Sequence, residues 1–331
     1  MSAVFGLAAR LQAARAAPLR TARRAVLYSA AGGAALLAGE AWYVRLKFRL
    51  PPDASGPLSG VVEPRDGGGS SSGGGSSARG GEPRRRNIVF LGDSLVTGVG
   101  CSAEVSATVG HVLPRHVAEL LAAQLGESIG WTCVGETGAD VSMLRTRLLP
   151  RLQSEVRRVS ASGDGQRVDA VVVMTGLNDI KECLLFANPR LHPWKFCELM
   201  EALLCSVREV AGGHCALLVA GCPIEAVPRF NDLWPLSAAT RVITRLWEDK
   251  KREAAEAADA RIVAERGRGG VGEGYIAFLV PPPSMVRRLL DGAAYFAADG
   301  MHPNDAGYVV WAEIIASELL AKWQAEATEP K

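Results

Sequence analysis

The chain has 331 residues, 48% of them apolar and 22% charged, with a formal net charge of +2 at pH 7. That much apolar material excludes a wholly disordered or fibrous protein, and 37 basic residues nearly matched by 35 acidic ones give nucleic-acid binding no support. The seven cysteines form no CxxC pair and no regular spacing, so they read as reduced core residues rather than a disulfide framework or a zinc site.

In chain order, residues 1–24 form a basic leader in which Arg10, Arg15, Arg20, Arg23 and Arg24 punctuate an Ala/Leu-rich background. Ala25–Val44 then supplies about twenty mostly apolar positions, enough for one bilayer crossing as a helix. Gly32, Gly33, Gly39 and Glu40 weaken that span, and Arg45, Lys47 and Arg49 follow it as residues that stop transfer or snorkel to head groups. The expectation is a single-pass membrane anchor, with an organelle transit peptide, mitochondrial for example, or a cleaved signal peptide as alternatives. A buried globular helix is disfavoured, because the next stretch offers nothing to cover it. That stretch, Pro51–Arg86, is rich in Pro, Gly and Ser and reads as a flexible tether with a reach of roughly 30–35 Å. Arg84, Arg85 and Arg86 read as solvated linker ends.

From residue 87 to about 325 the texture is that of a single α/β domain. Short apolar runs at Ile88–Leu91, Trp131–Val134, Ala170–Met174, Ala216–Ala220 and Ile276–Val280 predict five strands covered on both faces. Helical candidates near 111–126, 144–160, 194–211 and 238–266 lie between them, and Tyr308, Trp311, Ile315 and Leu319 repeat at helical spacing behind the candidate N-caps Asn304 and Asp305. The alternation implies a mostly parallel sheet sandwiched by helices.

Ligands of an open parallel sheet sit beyond the carboxyl ends of its strands. There the sequence places Gly92-Asp93-Ser94, Gly135-Glu136-Thr137-Gly138, Thr175-Gly176-Leu177-Asn178-Asp179 and Asp299-Gly300-Met301-His302. Those groups suit acyl transfer. A serine hydroxyl needs a base with a pKa near neutrality, and of the five histidines only His302 has a carboxylate three residues earlier, Asp299. That spacing can put both side chains on one face of a helical turn. Gly138, the Asn178 amide and the Ser94 N–H are candidate oxyanion donors, and Asp93 and Asp179 read as loop braces.

The segments IVFLGDSLVTGVG, VGETGADVSML, VVVMTGLNDI and DGMHPNDAGY resemble, in order, the four blocks of the GDSL or SGNH hydrolases. The resemblance implies a flavodoxin-like α/β/α sandwich and hydrolysis of esters or thioesters with no metal and no cofactor. It implies Ser94 as nucleophile, Asp299 and His302 as the rest of the triad, and Gly138, Asn178 and the Ser94 backbone as the oxyanion hole. Thr137-Gly138-Ala139-Asp140 departs from the more usual Gly-Asp-Thr order and leaves Gly135 as a competitor of Gly138. The expected substrate is a small-molecule or lipid-like ester, with a carbohydrate acetate as the alternative. Phe186, Trp194, Phe230 and Trp234 are candidates to line an acyl pocket. Two readings from another class remain: a catalytically silent binding protein, and a dinucleotide site at Gly98-Val99-Gly100-Cys101-Ser102-Ala103 with Glu136. The latter is disfavoured because its first glycine lies seven residues beyond Leu91.

Overall fold

The computed structural model describes residues 26–64, 85–163, 165–185, 192–231, 233–266 and 275–328. The basic leader 1–24, Ala25 of the expected span, residues 65–84 of the expected tether and Phe186 lie outside them. The strands are β1 (Ser59–Val62), β2 (Arg86–Gly92), β3 (Ile129–Gly135), β4 (Val168–Met174), β5 (Ala216–Ala220) and β6 (Ile276–Leu279). The helices are α1 (residues 26–47), α2 (Ala103–Val109), α3 (Val112–Leu125), α4 (Val141–Met143), α5 (Leu149–Ala161), α6 (Leu177–Leu185), α7 (Pro193–Ala211), α8 (Pro228–Asn231), α9 (Leu236–Arg266), α10 (Pro283–Leu289), α11 (Gly292–Tyr295) and α12 (Asp305–Thr328). A π-helical stretch, Leu144–Leu148, joins α4 to α5.

The sheet order is β1-β3-β2-β4-β5-β6, parallel throughout except for β1, which pairs antiparallel with β3. Alternation along the strands divides the apolar side chains between two cores. Ile88 and Phe90 face α3 and α12, whereas Val89 and Leu91 face α5, α7 and α9. This is the expected three-layer α/β/α sandwich, with six strands where five were anticipated.

The sixth strand corrects the tether reading of Pro51–Arg86 for its described residues, 51–64 and 85–86, while residues 65–84 lie outside them. Ser59–Val62 pairs with Ile129–Thr132, the Ala54 N–H donates to Thr97 O at 3.0 Å, and Asp53 accepts from Thr97 Oγ1 at 2.9 Å and from Thr137 Oγ1. Arg86 opens β2, pairs with Glu127 at 2.7 Å and lies over the Trp323 ring. A four-residue edge strand has too short an alternation to register above the Pro/Gly/Ser composition around it.

The expected membrane span is also corrected: among the described residues no helix is long and apolar enough to cross a membrane. The α1 helix docks on the domain instead. Glu40, which would be costly inside a bilayer, accepts the Leu236 N–H at 2.8 Å. That donor is one of the four at the start of α9 with no partner inside the helix, and a carboxylate is favoured there by the helix dipole.

Candidate active site

Ser94 stands just beyond the last residue of β2, whose Gly92 is held between Met174 of β4 and Gly135 of β3. A Cβ at Gly92 would lie 2.1 Å from Met174 O, so only glycine lets the chain turn there toward the serine. His302 Nε2 lies 2.9 Å from Ser94 Oγ, and His302 Nδ1 lies 2.6 Å from Asp299 Oδ2. An ionised carboxylate only accepts, so Nδ1 carries the proton of the neutral ring and Nε2 is left to accept from the serine hydroxyl. The chain of donors is continuous from Ser94 to Asp299.

Asp299 and His302 meet through a loop turn rather than the helical turn their spacing suggested. Asp299 Oδ1 accepts the N–H groups of Met301 and His302, both at 3.0 Å, and Gly300 takes φ +65° between them. Burial pushes the Asp299 carboxyl upward, but the bonds from the His302 ring and the two N–H groups outweigh it and hold the carboxyl below its ordinary value. On the other side of this loop, Asn304 caps α12 by accepting the Gly307 N–H at 3.0 Å.

The glycine-rich segment after Ser94 braces this loop. A Cβ at Gly100 would fall 2.4 Å from Pro303 O and 3.3 Å from His302 Cβ, and Tyr308 Oη donates to Val99 O at 2.7 Å. The Ser102 N–H donates to Asp305 at 2.9 Å. Gly98 and Gly100 are therefore closed over by protein, which removes the close backbone approach that a pyrophosphate site requires.

Gly138 and Asn178 line the same cavity as Ser94 and His302. Gly138 has φ +85° and no atom near its missing Cβ, whereas a Cβ at Gly135 would meet Val96 and Thr97, away from the cavity. Asn178 Nδ2 donates to Ala139 O at 3.1 Å and, more distantly, to Asp93 Oδ2 at 3.4 Å, while its Oδ1 accepts from Lys181 at 2.9 Å. The two remaining acids brace their loops as expected: Asp93 accepts the Leu95 N–H and Asp179 accepts the Val141 N–H, both at 3.1 Å. Burial pushes Asp93 up to about 6 against the Leu95 N–H, His302 and Lys251, and pushes Asp179 up to about 8.

The cavity has a volume of about 460 Å³. Of the three described candidate lining aromatics Phe230 faces it, whereas Trp194 and Trp234 are exposed elsewhere. Sequence reasoning missed Phe48, Phe296 and Trp311, which also line it, and the buried Lys251 at its floor. Lys251 Nζ donates to Glu248 at 2.7 Å and to Ala220 O at 3.3 Å. The spacing of Leu236, Ala239, Thr240, Ile243, Thr244 and Lys251 along one stripe of α9 was the available signal.

A parallel α/β/α sheet with a hydrogen-bonded Ser–His–Asp constellation beyond its carboxyl edge defines the class as serine hydrolase. The chain belongs to the GDSL-like lipase/acylhydrolase family, whose model matches residues 90–310, and it is an ester hydrolase. Among solved structures it is similar to Axe2, an acetylxylan esterase from Geobacillus stearothermophilus, at 16% identity and a TM-score of 0.47, covering 70% of this chain and 93% of the other. It is also similar to LAE5, an alpha/beta hydrolase from the metagenome of Lake Arreo, at 18% identity, TM-score 0.45 and coverage of 70% and 93%. A third is the lipase Lip_vut3 from a goat rumen metagenome, at 13% identity, TM-score 0.44 and coverage of 70% and 96%. No match was found among curated proteins.

Proposed function

We propose that the protein cleaves esters of apolar acyl groups through a Ser94 acyl-enzyme. His302 takes the Ser94 proton as Oγ attacks the acyl carbonyl, and Asp299 holds the ring tautomer and the positive charge that forms. The alcohol leaves with that proton. Water, deprotonated by His302, then attacks the acyl-enzyme, and the acid departs as Ser94 recovers its hydrogen. The Ser94 and Gly138 N–H groups and the Asn178 amide serve as oxyanion donors. The 3.4 Å contact from Asn178 to Asp93 is the weaker of its two, and it is the one a substrate oxyanion would replace.

The observation that carries this reading is the Ser94–His302–Asp299 chain, at 2.9 and 2.6 Å, opening into a cavity walled mainly by apolar side chains. A fluorophosphonate probe should label the wild-type protein and fail on Ser94→Ala. Hydrolysis is then compared across nitrophenyl esters of increasing acyl length and acetylated xylan. Labelling that persists on Ser94→Ala removes the nucleophile, and a preference for acetylated xylan refutes the apolar acyl group.

Association with a lipid surface is part of the same proposal. It is supported by the exposed Leu36, Trp42, Tyr43 and Leu46 of α1, next to Lys47 and Arg49. Flotation of the full chain with anionic vesicles tests it, and recovery wholly in the unbound fraction would refute it.

A further inference from the structure

The α1 helix ends as part of the active-site cavity. Ala41, Val44, Arg45 and Phe48 all line it, at positions i, i+3, i+4 and i+7 of one helical face. Facing them from α9 are Leu236, Ala239, Thr240 and Ile243, which repeat the same spacing and line the same cavity. The Phe48 N–H donates to Val44 O at 2.9 Å, which carries the helical turn through to the phenyl ring. Glu40, one residue before the first lining position, accepts the Leu236 N–H at 2.8 Å and so ties the two stripes together at the residue where α9 begins. The result is a mainly apolar wall on the same cavity that holds Ser94 and His302.

An acetyl group would fill little of a cavity of about 460 Å³, a size within the roughly 300–1,000 Å³ of sites that enclose drug-sized ligands. A straight alkyl chain suits it better. Each methylene moved from water into such a cavity strengthens binding roughly fourfold. That gain reaches kcat/KM wherever the chain is held equally in the transition state.

We infer that α1 is the outer wall of the acyl-binding slot and that Val44 sets the length and bulk of the acyl chain the enzyme accepts. The inference rests on the serine-hydrolase reading and adds a specificity wall drawn from outside the segment matched by the family model, which begins at residue 90. Residues 41–48 act on the substrate by contact with its chain, remote from the bond that breaks.

The test measures kcat/KM of the full chain on nitrophenyl acetate, butyrate, octanoate and dodecanoate, with fluorophosphonate titration of Ser94 counting competent sites. Val44→Trp should lower the octanoate-to-acetate ratio about tenfold or more, as expected when methylenes are excluded from an apolar pocket. Val44→Ala should move the preferred chain the other way, toward dodecanoate. Opposite shifts are the signature of a wall, because loss of packing alone would depress all four esters together. Ratios within about twofold of wild type in both variants overturn the inference while leaving the hydrolase reading intact. Failure of the wild-type protein to cleave any ester in a Ser94-dependent way would overturn both.

Discussion

The inner face of the cavity, where Ser94 meets Asp299 and His302, and its outer face, where α1 meets α9, are built from chain segments of opposite character. On the inner face four residues, Asp299 to His302, carry their own geometry: one carboxylate oxygen accepts two backbone N–H groups and the other meets the imidazole. On the outer face Glu40 ties the two helices at the Leu236 N–H, and beyond that what matters is which stripe of a helix faces which. In the proposed mechanism chemistry is held by the hydrogen bonds of the Asp299 turn, and substrate choice by packing that tolerates exchange of side chains. Substitutions on the inner face should change the rate for every ester, whereas those on the outer face should change the order of preference among esters.

The largest expected effect on the inner face is from Asp299→Asn. The single amide oxygen stays on the Met301 and His302 N–H groups and the NH2 donates to Nδ1, so the ring loses the tautomer that leaves Nε2 free for Ser94 Oγ, and kcat should fall roughly 10³- to 10⁴-fold. A loss under tenfold would show that the Asp299–His302 contact of 2.6 Å is structural only. Asn178→Ala comes next, with an expected loss of about 10²- to 10³-fold in kcat and little change in KM. Near-full activity would take Asn178 out of the oxyanion hole and leave the amide as a brace between Ala139 O and Asp93. Smaller again is Gly100→Ala. Its Cβ would press on Pro303 O and the side chain would sit at φ +95°, so the His302 loop must shift, at a cost of up to about 10²-fold in kcat together with a lower Tm. An unchanged kcat with a lowered Tm would mean that Gly100 supports the fold but does not place the histidine.

The same contrast explains what the sequence made legible. Ser94, Asp299 and His302 could be proposed from the chain because each lies at a strand end or in a four-residue turn, where local spacing already constrains geometry. The five parallel strands were legible for a similar reason: burial on both faces leaves continuous runs such as AVVVM. Ser59–Val62 was not, since its pairing partner lies some seventy residues downstream and its four positions alternate only twice. The α1 segment was misread as a span because counting about twenty mostly apolar positions overlooks how weakly its alanines and glycines contribute, and the described helix is not apolar enough to cross a membrane. Glu40 marked the flaw in that reading, but only the position of Leu236 shows what the carboxylate is for. Lys251 was missed because a lysine in an amphipathic helix looks solvated, and its burial depends on Gly176, whose absent side chain leaves room for Lys251 Cε.

The smallest predicted effect concerns stability rather than rate, and it separates the two bracing aspartates from Asp299. Asp299 is held below its ordinary value, while burial raises Asp93 to about 6 and Asp179 to about 8. A carboxyl with a raised folded pKa keeps a proton in the native state that the unfolded chain releases above about pH 4, so stability falls as pH rises toward the folded value and levels off beyond it. Asp93 contributes to this fall up to about pH 6, and between about pH 6 and 8 the fall belongs to Asp179. Asp179→Asn mimics the protonated acid and keeps an oxygen to accept the Val141 N–H. Its urea midpoint should therefore draw ahead of wild type as pH rises from 6 to 8 and hold a constant lead at pH 9. Midpoints that run parallel from pH 6 to 9 would show that Asp179 is ionised throughout, and the brace beneath Asn178 would then be a buried charge rather than a neutral acid.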